Sequence, residues 1–348
     1  MAKESNYEDT IEAIVNSGLH TMVLALGYKV GIIDAMGRLG KPSTKGEISK
    51  EAGLNQRYVE EWLLCMASKG IVQYENSKFS IMNSGRIRKA IHTSLALPMF
   101  ADCFQKLENA MKNKDINTGY QYPSNELEWL GKFSDLSNTN QTWIENNINP
   151  AILYCQQQSH DTEISLCMLD FGCGYGKLAN ELAQYYPQSN IFGTDIHKDA
   201  VHFCKVTHKQ PNIQFEIFSK SLELLWQQKF DAIILKDVLH DLPDPITVLS
   251  QVRRMLKPQG IVIAFDPNIS SNISFNLGKK AAQNHLPYSV FFCLPNSLSE
   301  RPAVGHGGSW GYEDREQFLV DNGFTIVKTP VDEIKSTNSH DHRIIFKV

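Results

Sequence analysis

Seven consecutive residues, Asp170-Phe171-Gly172-Cys173-Gly174-Tyr175-Gly176, carry the densest chemical signal in the chain. They stand between an apolar run, Leu166–Phe171, and a helical pattern, Leu178–Tyr186. Glycines at such a junction permit a sharp turn and let backbone N–H groups approach a ligand closely. Asp195 closes the next apolar run, nineteen residues beyond Gly176. A carboxylate at that point accepts hydrogen bonds from the two hydroxyls of a ribose. The form of the turn separates ligand classes. A dinucleotide fingerprint reads G-x-G-x-x-G and seats a pyrophosphate on a helix N-terminus. Here the pattern is D-x-G-x-G-x-G, and an anionic Asp170 suits a cationic amino-acid group instead.

A second cluster, Lys236-Asp237-Val238-Leu239-His240-Asp241-Leu242-Pro243-Asp244, follows the fourth apolar run. In an open α/β sheet, reacting groups sit beyond the carboxyl ends of the strands. His240, with an ordinary pKa of about 6.5, can take a proton from a hydroxyl or thiol there. Its plain alternative is a loop or cap residue, since Asp244-Pro245 reads as a helix start. Weaker substrate candidates are His285, Tyr288, His306 and Trp310, in a long loop insertion after the fifth apolar run. Phe291, Phe292 and Cys293 share that insertion, and Tyr122 lies in an aromatic-rich connecting segment. His340 and His342 resemble half a metal site with no third ligand, so no metal is expected.

These residues need a scaffold, and the pattern supplies one. Apolar runs at Leu166–Phe171, Asn190–Thr194, Ile213–Phe218, Phe230–Leu235 and Gly260–Phe265 alternate with helical segments at Leu178–Tyr186, Ala200–Thr207, Leu222–Gln227 and Ile246–Leu256. Repeated βα units predict an α/β fold with a mostly parallel sheet covered on both faces. Thr325–Lys328 and Arg343–Phe346 predict an antiparallel edge hairpin. The front of the chain differs. A helical repeat (Ile11, Ile14, Val15, Leu19, Met22, Val23) and a block ending at Gly40 precede two capped helices split by Gly53. Ile71–Tyr74 and Lys78–Ile81 then read as a hairpin, giving a winged-helix arrangement. The expected domains are a helical, winged-helix domain at 1–115, a connecting segment at 116–160 and an α/β domain at 161–348.

At these residues a resemblance becomes plain. Leu169–Gly176 resembles motif I of class I S-adenosylmethionine-dependent methyltransferases, and Asp195 matches their ribose-binding acid. Phe230 through Lys257-Pro258-Gln259-Gly260 into Ile263 is similar to their later motifs, so the likeness covers about residues 160–348 and implies their Rossmann-like sheet. It implies S-adenosyl-L-methionine as cofactor, held by Asp170, Gly172, Cys173, Gly174, Gly176, Asp195, Ile196, Lys236 and Asp237. The usual acid after the third strand is replaced by Phe218-Ser219-Lys220-Ser221, leaving Ser219 or backbone to meet the adenine. Lys236 to Asp244 resembles the O-methyltransferase K-x-x-x-H-D-W-x-D element, whose histidine is the general base, with Leu242 in place of the tryptophan. The front half is similar to the winged-helix domain fused to a bacterial-type methyltransferase family, and plant and hydroxyindole-type O-methyltransferases share the domain order. There the winged helix builds a homodimer and one wall of the substrate pocket.

Composition narrows the rivals. The 348 residues carry 34 Lys plus Arg against 38 Asp plus Glu, a formal charge of −4. No basic excess drives counterion release on nucleic acid. On the would-be recognition helix, Glu60 and Glu61 oppose Arg57, while Tyr58 and Trp62 read as packing residues. The seven cysteines are odd in number and lack a C-x-x-C pair, which suits a reducing, cytoplasmic setting without disulfides. No run approaches the ~18 apolar residues of a membrane helix. The expectation is methyl transfer to a small molecule, with oxygen favoured and sulfur or nitrogen as alternatives. A DNA-binding regulator that senses the cofactor is the alternative of another class.

Overall fold

The structure, a computed structural model, describes residues 2–82, 85–115, 118–120, 129, 131, 139–159, 165–329 and 341–348. It divides into two units, Met1–Phe104 and Gln105–Val348. The first opens with α1 (Ala2–Lys29) and α2 (Ile32–Leu39), parted by Gly31 at φ 85°. α3 (Lys45–Ala52) begins at a capping box, in which Thr44 Oγ1 accepts from the Glu47 N–H and Glu47 accepts from the Thr44 N–H. Gly53 ends it, and Asn55 caps α4 (Gln56–Ser68) by accepting from the Arg57 N–H. Strands β1 (Gln73–Glu75) and β2 (Lys78–Ser80) pair antiparallel, which completes the predicted winged helix. The helices α5 (Gly85–Thr93) and α6 (Ala96–Lys112) follow.

Ile48, Leu63, Met66 and Val59 pack with Trp62 at the centre of this unit. Gly27 is obligatory there, because a Cβ would stand 2.1 Å from the Trp62 ring. Trp62 Nε1 also donates to the Val23 carbonyl at 2.7 Å. One expectation needs correcting. Tyr58 is 79% exposed and packs nothing, since it lies on the solvent face of α4. The apolar repeat of α1 forms a helix, but only the last turns (Val23, Leu24, Tyr28) meet the core. Ile11, Ile14, Val15 and Leu19 remain exposed.

The second unit begins with α7 (Gln141–Asn147) and α8 (Asn149–Ser159). Then β3 (Cys167–Phe171), α9 (Lys177–Tyr185), β4 (Asn190–Asp195), α10 (Lys198–Thr207), β5 (Ile213–Ile217), α11 (Lys220–Leu225) and β6 (Phe230–Lys236) alternate. A short 3-10 turn, Leu239–Asp241, leads to α12 (Pro245–Met255) and β7 (Leu256–Pro267). The insertion holds α13 (Ile273–Asn276), α14 (Lys280–Tyr288), a π turn at Ser289–Cys293, α15 (Leu294–Ser297) and α16 (Tyr312–Asp321). Edge strands β8 (Thr325–Val327) and β9 (Asp341–Lys347) close the chain. The insertion was expected as loops. Much of it is helical instead, even though Pro287 lies inside α14.

The sheet order is β5-β4-β3-β6-β7-β9-β8, parallel through β7 and antiparallel at β9 and β8. Successive side chains feed opposite layers. Met168, Ile234, Ile263 and Ile345 face one core; Leu169, Ile233, Val262 and Phe346 face the other. That is why the strands read as unbroken apolar runs. Among the described residues no single helix is long and apolar enough to cross a membrane. Leu169, wholly buried in the central strand, tests this arrangement. Leu169→Ala should destabilise the second unit by about 2–5 kcal/mol, read as a lower denaturant midpoint at unchanged slope.

Candidate functional site

Strand order reverses between β3 and β6, so the chain after β3 and the chain after β6 leave the same edge side by side. Such a switch point is where open α/β sheets bind ligands. The turn after β3 is built from left-handed residues: Gly172 at φ 75°, Gly174 at 51° and Gly176 at 78°. A Cβ at Gly172 would press within 2.7 Å of Val238 Cγ2, so glycine there lets the two turns touch. A Cβ at Gly174 would meet nothing within 4 Å, so this face of the turn is open. Gly172 and Cys173 donate their N–H groups to the Thr194 carbonyl, tying the turn to β4.

Asp195 completes that tie. Its Oδ2 accepts from the Gly174 N–H at 2.8 Å, and Oδ1 accepts from the His197 N–H at 2.9 Å. Each oxygen keeps a lone pair for a further donor. Asp170 lies beneath the turn, 2% exposed, with Oδ2 accepting from the Ala179 N–H. Burial, with Asp195 nearby, pushes its carboxyl up to about 7, so the fixed anion expected from sequence is only partly ionised at neutral pH. Cys173 Sγ turns inward toward Cys204, and burial beside that thiol and the carboxylates holds it well above the usual thiol range. Ile196 is 65% exposed just past Asp195. Ser219 Oγ caps α11, accepting from the Leu222 N–H.

The turn after β6 gathers the titratable groups. Asp237 adopts a left-handed φ of 57° and donates its N–H to the Phe265 carbonyl. Lys236 Nζ bonds Asp237 Oδ2 at 2.5 Å, with Asp341 Oδ2 at 3.9 Å. Against the cost of burial, these two carboxylates hold Lys236 above its usual range. His240 is 3% exposed. Its Nδ1 lies 2.5 Å from Asp266 Oδ1, which also accepts the His240 N–H, and its Nε2 lies 3.2 Å from Asp241 Oδ1. A carboxylate at Nδ1 holds the proton there and leaves Nε2 for chemistry. Burial alone would lower the imidazole, but Asp241, Cys293 and Asp266 lift it well above the ordinary histidine value. That corrects the expectation of a pKa near 6.5.

The structure brings together the glycine turn, Asp170, Asp195, Lys236, Asp237 and His240. His285 joins them through its field at Asp237. Tyr288, on the same helix, has its phenol pushed up to about 12 by burial. Trp310 does not face the cleft: it is 8% exposed and packed in a core with Leu319 and Phe324. His306 stacks on it at 3.7 Å and Phe318 abuts both, so the apolar surroundings claim this pair. Tyr122 and His340 lie outside the described residues, while His342 stacks on Tyr312. Sequence reading missed Asp266, whose only signal was its place at the end of an apolar run, and left Cys293 among the weaker candidates of the insertion. The π turn sets Cys293 against His240 and Asp241, and burial pushes its thiol up to about 11.

Known proteins carry the same parts. Residues 164–303 match a family model described as a methyltransferase domain, and residues 18–83 match one described as an Rv2258c-like winged HTH domain. Over 192 residues the chain is 30% identical to a ubiquinone biosynthesis O-methyltransferase of Coxiella burnetii, covering 50% of this chain and 79% of that protein. Over 123 residues it is 30% identical to a malonyl-(acyl-carrier protein) O-methyltransferase of Halalkalibacterium halodurans. That match covers 32% of this chain and less than half, 45%, of the relative. The solved structure of human N-acetylserotonin methyltransferase in complex with SAM shares the fold, with a TM-score of 0.68 at 16% identity over 98% of this chain and 97% of that one. The chain therefore belongs to the S-adenosylmethionine-dependent methyltransferases, as a member whose methyltransferase domain follows a winged helix-turn-helix domain.

Proposed function

We propose that the chain methylates a hydroxyl oxygen of a small molecule, with His240 as general base. The observation that carries this reading is the Asp266–His240 pair at the turn after β6, whose Val238 abuts Gly172 of the glycine turn. The residues fit the cofactor: the open face at Gly174 admits a ligand, and Asp195 retains lone pairs for two hydroxyls. Bound there, S-adenosylmethionine supplies a sulfonium methyl group already activated by its charge, so the protein mainly positions and deprotonates. Asp170 favours the cationic amino-acid end. Asp266 orients the imidazole, and Nε2 receives the acceptor proton while Asp241 stabilises the imidazolium formed. Sulfur acceptors remain the alternative, since a thiol needs less help to ionise.

The winged helix is proposed as an assembly module rather than a reader of DNA. Arg57, the single cation of α4, pairs with Glu61, and Lys45 of α3 pairs with Glu60, so both cations already hold partners. The exposed apolar face of α1 suits a second copy of the chain. Leu19→Glu on that face is expected to convert dimer to monomer in light scattering.

Two measurements test the chemistry. Asp195→Ala removes charge-assisted bonds of about 1.5–3 kcal/mol. Calorimetric titration with S-adenosylhomocysteine should therefore show roughly ten- to hundredfold weaker binding; equal affinities would refute the cofactor site. For the base, turnover should rise with pH through the His240 pKa, because only the neutral imidazole accepts a proton. Asp241, Asp266 and Cys293 lie against it with Asp237 nearby, and the carboxylates dominate. The acid limb of kcat/KM should thus lie above about 6.5. Asp241→Asn should move it to lower pH, and His240→Ala should cost roughly 10²–10⁴ in rate. An unchanged profile in both variants would dismiss the base.

A further inference from the structure

Three groups converge at the proposed base: a ring nitrogen of His240, a carboxylate oxygen of Asp241 and Cys293 Sγ all lie within 4.8 Å of one another. Imidazole, thiolate and carboxylate form a ligand set suited to zinc, and three protein ligands with an open fourth position is a common zinc geometry. Two further observations point the same way. Asp266 holds His240 Nδ1 at 2.5 Å, the carboxylate–histidine support that aims the other ring nitrogen at a metal. Asp241 Oδ1, buried and aimed into the trio, makes no well-formed hydrogen bond among the described residues. Zinc bonds of about 2.0–2.3 Å place tetrahedral ligand atoms about 3.5 Å apart. Nε2 and Oδ1 already stand at 3.2 Å, so only a small movement of Cys293 completes the set.

We infer that His240, Asp241 and Cys293 bind a thiophilic divalent cation of the zinc type, and that this cation switches the enzyme off. The ion takes the Nε2 lone pair, displacing to solvent the proton that Nε2 carries in the charged imidazole, and the Cys293 thiol proton leaves likewise as the thiolate coordinates. The site itself stands on geometry; its effect on turnover rests on His240 acting as the base.

Cobalt(II) added to the metal-free, full-length protein tests the site without reference to activity. One equivalent should produce a thiolate-to-cobalt charge-transfer band and the intense visible bands of a four-coordinate ion, both displaced by zinc. Cys293→Ser should lose the charge-transfer band, and Asp241→Asn should weaken cobalt binding at least about tenfold. Cys155→Ser, on α8, should change neither. Retained S-adenosylhomocysteine binding in each variant shows that it folds. Stoichiometric zinc should suppress wild-type turnover, reversibly by chelator, and spare Cys293→Ser. No charge-transfer band, or one that persists in Cys293→Ser, overturns the site. A genuine band with unaltered turnover under zinc overturns the switch and counts against His240 as base.

Discussion

The pairing of β3 with β6 is the constraint on which the second unit depends. Met168, Leu169 and Asp170 run in register with Ala232, Ile233 and Ile234, so both strands end at one edge. Sixty-six positions of chain separate Gly172 from Val238, yet the two turns meet there because no Cβ stands between them. The apolar residues of both strands fix that register, since a slip by one would send each to the wrong core. Chemistry at the edge is therefore positioned by hydrophobic packing well below it.

What packing positions, burial then charges. Asp170, Asp195, Asp237, Asp241 and Asp266 all crowd this edge, against Lys236, His240 and His285. The consequences differ by depth. Asp170, shut beneath the turn, rises to about 7. Asp237, its side chain 47% exposed and bonded to Lys236, is instead held below the usual carboxylate range despite the penalty of partial burial. A cationic ligand beside Asp170 favours its ionised form, so the cost of burying that carboxyl turns into a preference for positive charge. His240 takes the opposite course, because three acidic neighbours outweigh its desolvation.

Local features were the legible ones. The glycine turn, Asp195 and His240 announce themselves because each is defined by spacing along one stretch of chain. The capping residues Thr44 and Asn55 and the stop at Gly53 were legible for the same reason. Asp266 and Cys293 were not, because their roles arise only when β7 and the insertion fold back on the turn after β6. Periodicity found α1 but was silent on its surroundings: a 3.6-residue repeat reports an apolar face, not what covers it. Trp310 and His306 erred the other way. Their residue types suggested a binding wall, but an aromatic pair is as readily claimed by a core.

The π turn at Ser289–Cys293 adds a quantity that composition does not record. A π turn holds one residue more than an α turn, and each residue advances a helix by about 100°. Removing a single residue there would rotate Cys293 and everything following it in α15 by nearly a third of a revolution, away from His240. The meeting of thiol and imidazole is thus encoded by a count as much as by an identity. A relative with the same cysteine in an uninterrupted helix would carry the letter without the contact.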